Sequence, residues 1–246
     1  MSCDMPNLAV GRGKLVAAAA LLMLFRADGA VGAPTFGCGV LNGYAYAGAQ
    51  DIRVAHGIQA NVVALTRPLV GRGHVAAWVG VGGPGQGSGG SDAWIQIGLN
   101  AFSDGSSHLY FEVNRPGTGP QYRQLATHVR VGVRYRLAVL ETESRRGWWR
   151  AWLDGAPASA AFYLPGSDGW RPMFTAERWS GDQQACDRFS YRFERVVVAK
   201  AAGGSWTPFV AGARFHDPGY QLVSERKSAY VAFTGGRSRT HASTIG

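Results

Sequence analysis

The stretch His74–Leu99, HVAAWVGVGGPGQGSGGSDAWIQIGL, decides the fold. Both of its ends alternate with period two, which is the signature of strands with two different faces. In the first, Val75, Ala77, Val79 and Val81 oppose His74, Ala76, Trp78 and Gly80. In the second, Ile95, Ile97 and Leu99 share one face, and Trp94, Gln96 and Gly98 share the other. The linker Gly85–Gly90 formally fits GxGxxG, but a phosphate or dinucleotide loop must open a helix whose N-terminus holds the anion. Here the loop leads from one strand into another, so it reads as a hairpin loop and no nucleotide site is expected.

Working outward, short alternating segments recur at HLYFEV (108–113), RYRLAVLE (134–141), WWRAWLDG (148–155), MFTAERW (173–179) and YRFERVVVA (191–199). Gly-, Pro-, Ser- and Asp-rich turns separate them, and Asp154-Gly155 is a strong tight-turn signal. Outside the N-terminus no segment carries a 3.6-residue period. This spacing predicts an all-β sandwich or barrel.

Sorting the strands by parity gives an aliphatic face and a second face of aromatic and polar residues. If the second faces adjoin, they line one surface with Trp78, Trp94, Gln96, Tyr110, Glu112, Glu177 and Trp179. The strand WWRAW could add Trp148, Arg150 and Trp152, or alternatively Trp149. An antiparallel sheet often has one solvated face, but a row of aromatics there points to an interaction surface. Glu141 and Glu143 share a parity beside a turn and read as solvated surface.

The ends and the totals bound the rest. Arg12 and Lys14 precede LVAAAALLMLF (15–25), eleven apolar residues followed by small ones. That run is shorter than the ~20 residues a membrane span needs. Residues 1–33 are therefore expected to be a secretory signal peptide, 34–235 one sandwich domain, and 236–246 a flexible tail. The protein is expected to be secreted and extracellular, a monomer, with no membrane association after cleavage. Beyond Cys3 the chain has Cys38 and Cys186 alone, expected to form one disulfide in an oxidising compartment. Histidines are scattered, so no metal and no cofactor is expected. The net charge of +9 comes mostly from dispersed arginines rather than a basic stripe, which argues against specific nucleic-acid binding.

The order of these segments resembles the glutamic peptidases, or eqolisins. That family shows W-V-G-I-D-G, a loop, then I-L-Q-T-G carrying its catalytic glutamine; here the counterparts are Trp78–Gly83 and Trp94–Gly98. The family's W-Y-E-W matches Tyr110–Val113, and its N-A-E-F, with the catalytic glutamate, matches Thr175–Arg178. Pro208-Phe209 to Phe215 stands for a later P-F-x-x-F strand, so the similar order covers residues 43–233. Gly82 replaces the aspartate of the first motif, Asn100 an acid after the second, and Tyr110 and Val113 two tryptophans.

The resemblance implies a two-sheet antiparallel β-sandwich, a concanavalin A-like jelly roll. It implies Glu177 as general base on a water, Gln96 as donor to the developing oxyanion, and an extended peptide or protein as substrate. Trp78, Trp94, Tyr110, Glu112 and Trp179 then become substrate-binding residues. Two alternatives come from the residues themselves. One is a non-catalytic carbohydrate-binding or structural module on the same fold, favoured if Gln96 and Glu177 are separated by more than one bridging water. The other is a glycoside hydrolase using Glu112 and Glu177 as paired carboxylates. A serine-protease reading has no G-x-S-x-G to rest on.

Overall fold

The computed structural model describes residues 43–181 and 186–234. The first strands are β1 (Tyr44–Asp51), β2 (Gly57–Ala64), β3 (His74–Gly83), β4 (Ala93–Phe102), β5 (Ser107–Arg115) and β6 (Gly119–Thr127). Then come β7 (Arg134–Glu141), β8 (Trp148–Leu153), and the two-residue β9 (Ala156–Pro157) and β10 (Phe162–Tyr163). The chain continues through β11 (Met173–Trp179), β12 (Ser190–Ala199), β13 (Trp206–Pro208), β14 (Ala211–His216), β15 (Tyr220–Arg226) and β16 (Ala229–Thr234).

They form two antiparallel sheets. One has seven strands in the order β14-β1-β11-β3-β4-β5-β6. The other runs β10-β8-β7-β2-β12-β16-β15, with β13 beside β12 and β9 beside β8. The aliphatic parity of the sequence is the inner face of the first sheet. Val75, Ala77, Val79, Val81, Ile95, Ile97, Leu99, Leu109, Phe111 and Val113 are buried there, in one core with Ile58, Val62, Leu137, Val139, Phe193 and Val198 of the second sheet. Each Val, Leu, Ile or Phe among them contributes about 1.5–3 kcal/mol on burial, and this repeated term holds the layers together. The all-β sandwich is thus the observed architecture.

The turn at Asp154-Gly155 has positive φ at both residues, 51° and 89°, as a two-residue hairpin of the tightest kind requires. It closes β8 onto β9. Because β8 pairs with β7, in the second sheet, Trp148, Arg150 and Trp152 cannot add to the surface around Gln96. Trp149 is instead a core residue whose indole N–H donates to Ser167 Oγ at 2.8 Å. Glu141 corrects its reading as solvated surface: it is buried, accepts from the Gly147 backbone N–H, and pairs with His56 Nδ1.

Two buried acids are each held by an arginine and by backbone donors. Asp187 Oδ2 accepts from Arg178 Nε at 2.8 Å, and both side chains are fully buried. Asp51, at the end of β1, accepts from Arg53 and from the Val210 backbone N–H, both at 2.8 Å. Burial pushes the Asp51 carboxyl upward, but the hydrogen bonds from Arg53 and from the backbone outweigh it and hold it below the usual range. A carboxyl whose folded value is depressed stabilises fully above its unfolded value, and that contribution fades as pH falls through the folded one. The stability gap between wild type and Asp51→Asn is therefore expected to be widest near neutral pH and to shrink on acidification. Urea unfolding at about pH 7 and about pH 2 measures it; a gap constant with pH refutes the assignment.

The expected signal peptide, the tail and Cys38 lie outside the described residues, so the Cys38–Cys186 pairing remains an expectation. Among the described residues no helix is long and apolar enough to cross a membrane.

Candidate functional site

The outer face of the seven-stranded sheet carries the second parity. Strand pairing places its residues on shared rungs. Tyr46, Glu177, Ala76, Asn100 and His108 form one, running from β1 to β5. Gly48, Thr175, Trp78, Gly98 and Tyr110 form the next, and Gln50, Met173, Gly80, Gln96, Glu112 and Tyr122 the one beyond. Together they floor a cavity of about 630 Å³. Gln96, Glu177, Trp78, Trp94, Tyr110 and Glu112 all line it.

The contacts on this face are diagonal: each polar head meets a side chain two residues away from its direct cross-strand partner, within the reach expected in a twisted sheet. Trp78 Nε1 donates to Glu177 Oε2 at 2.9 Å, and Trp94 Nε1 donates to Glu112 Oε1 at 2.9 Å. Gln96 Nε2 donates to Tyr110 Oη at 3.4 Å. His74 Nε2 lies 3.3 Å from Glu177 Oε1. Each carboxylate is therefore held by an indole. Burial raises the Glu112 carboxyl first and the Glu177 charge raises it further, against the Trp94 hydrogen bond.

Glycines make the floor. A Cβ at Gly98 would lie 2.6 Å from the Ala77 carbonyl oxygen, 2.7 Å from Trp78 Cβ and 3.0 Å from Tyr110 Cε1, so only glycine leaves room there for these two neighbours. Gly82 adopts φ +82°, and a Cβ there would collide with the Ala93 carbonyl oxygen. An aspartate at this position, as the resemblance would place one, does not fit this backbone. The missing acid is thus built into the strand geometry.

Trp78 and Tyr110 are buried floor rather than the exposed aromatic row expected from parity, flanking Gly98 on the same rung. Trp179 stands at the rim, 38% exposed and outside the cavity lining, stacked on His74. Sequence reading passed over several lining residues: Tyr44, Tyr46, Tyr122, Met173, Thr175 and Phe215. The two on β1 sit in YAYAGAQD, whose small residues hid the strand. Tyr44, Tyr46, Tyr110 and Tyr122 are all pushed up, by burial first, and so stay neutral hydrogen-bond donors. Among the described residues no group of three His, Cys, Asp or Glu side chains could hold a metal ion.

Gln96 and Glu177 share the cavity without a hydrogen bond between them. Two diagonal steps across the strand pairing separate them, Gln96 to Trp78 and Trp78 to Glu177. The Trp78 indole lies between.

Solved structures with this fold include Scytalido-glutamic peptidase bound to a peptide-based transition-state analogue. It is 14% identical, with a TM-score of 0.53, over 79% of this chain and 98% of that one. SCP-B, a member of the eqolisin family in complex with the tripeptide Ala-Ile-His, is 13% identical with a TM-score of 0.51 over the same shares. The fold is that of a distant eqolisin-like β-sandwich. No protein-family model matches the chain, and no curated protein matches it.

Proposed function

We propose that this chain is a secreted glutamic-peptidase-like hydrolase that cleaves extended peptides lying in the cavity of the seven-stranded sheet. One observation carries the reading: Glu177, buried and held by the Trp78 indole, faces the same cavity as the neutral amide of Gln96 across that indole. In the proposed complex a scissile carbonyl and an attacking water lie between the two side chains, at reacting distances of about 3–3.5 Å. Glu177 takes the proton of that water as it attacks, and the Gln96 N–H donates to the oxygen that becomes negative. Glu177 then returns the proton to the departing amine. Catalytic hydrogen bonds of free enzymes often tighten only on substrate, so the present Gln96–Tyr110 bond must yield to the oxyanion.

A second reading has its own observation. Glu112 is raised by burial and by the Glu177 charge, as the acid partner of a glycosidase pair is. The same experiment separates the two. Protein is incubated with a denatured protein substrate and with a mixed-linkage β-glucan from pH 2 to 7, with pepstatin present. Protein cleavage that survives pepstatin and falls by about 10²–10³-fold in Gln96→Ala is the expected result. Glucan cleavage lost in Glu112→Gln would replace it with the glycosidase reading, and no cleavage of either leaves a binding groove.

A further inference from the structure

Resting on the peptidase reading, we infer that His74 is a positioning residue for Glu177, held in place by an aromatic rung that crosses the rim of the cavity. His74 opens β3, and its direct cross-strand partners are Trp179 on β11 and Phe102 on β4. Its ring stacks on Trp179 at 5.7 Å with an interplanar angle of 26°, and tilts against Phe102 at 5.8 Å and 55°. Phe102 in turn packs on His108 at 5.3 Å. Aromatic contacts on two sides leave the imidazole little rotational freedom. What it presents to the cavity is Nε2, 3.3 Å from Glu177 Oε1.

The other carboxylate oxygen is already engaged, since Oε2 accepts from Trp78 Nε1 at 2.9 Å. Two N–H donors on different strand positions, one per oxygen, fix the carboxylate plane as a single donor cannot. With the carboxylate accepting, the ring proton belongs on Nε2, the tautomer its surroundings select. A base that must meet a water in line with a carbonyl gains from this directly, because small angular errors at the reacting atoms cost rate steeply. The same geometry accounts for Trp179, which stacks on the histidine from the neighbouring strand and stands outside the cavity lining.

The test compares His74→Ala with His74→Gln, whose amide can place an N–H near the position of Nε2. Two readouts are taken from each: kcat and KM on the denatured protein substrate, and the NMR signal of the Trp78 indole proton, assigned by its loss in Trp78→Phe. His74→Ala is expected to lower kcat about 10–100-fold with KM within about twofold, and to shift the indole signal as the carboxylate swings free. His74→Gln is expected to restore most of both. Unchanged kcat and unchanged indole signal in His74→Ala overturn the inference, as does equal damage in both variants with each folded. If wild-type protein cleaves no peptide, the peptidase reading falls. The indole signal then still decides whether His74 orients Glu177: a shift in His74→Ala reversed in His74→Gln supports it, and no shift overturns it.

Discussion

Glu177→Gln is expected to lower kcat by about 10²–10⁴-fold, the range a positioned general base supplies, while the sandwich stays as stable as before to within about 1 kcal/mol. The replacement is nearly isosteric. Its amide oxygen can still accept the Trp78 indole N–H, so the floor of the cavity keeps its shape. What disappears is the capacity to take a proton from water. Steady-state rates on a denatured protein substrate, set beside a thermal melt of the same samples, separate the two effects. Undiminished cleavage by a folded Glu177→Gln would remove Glu177 from the chemistry.

The next residue along β11 behaves in the opposite way. Arg178 points into the sandwich, where it meets Asp187, and neither side chain touches solvent. Arg178→Met leaves the Asp187 carboxylate buried with the Gly71 backbone N–H, 2.7 Å from its Oδ1, as a remaining donor. Removing one partner of a buried pair typically costs about 3–5 kcal/mol, which for a domain of this size lowers Tm by roughly 10 °C. The double change Arg178→Met with Asp187→Leu is expected to regain most of that loss, because it removes the stranded charge and returns apolar volume. Denaturant midpoints for the three proteins measure the cycle. A single variant as stable as wild type would mean that water reaches Asp187.

Much of the fold was legible because its inner face is written in aliphatic residues at period two. The alternation marks 134–141 and 173–179 to the residue; β3 and β5 extend past the alternating segments 74–81 and 108–113, while β4 starts one residue inside 92–99 and runs on to Phe102. The alternation could not say which sheet a strand joins. WWRAWL has the right faces for either layer, and its pairing with β7 is settled by long-range packing. β1 was missed since Ala45, Ala47 and Ala49 bury little surface each, and β6 since an edge strand of GPQYRQLAT has few apolar positions to repeat. For the site, parity brought Trp78, Trp94, Gln96, Tyr110, Glu112 and Glu177 to one cavity. It could not show that the contacts run diagonally, because twist is a property of the assembled sheet. Nor could it show that Gly82 stands in a conformation closed to aspartate.

The site-bearing positions of β3, β4, β5 and β11 face away from the core, and their neighbours in sequence face into it. Along each of these strands the odd and even positions thus answer to different demands, one set to folding and the other to the ligand. A lineage can rewrite the cavity a residue at a time, changing an acid for an amide or a tryptophan for a tyrosine, without disturbing the hydrophobic layer beneath. That separability lets the open face be altered residue by residue while the hydrophobic layer beneath keeps the outline of the sandwich.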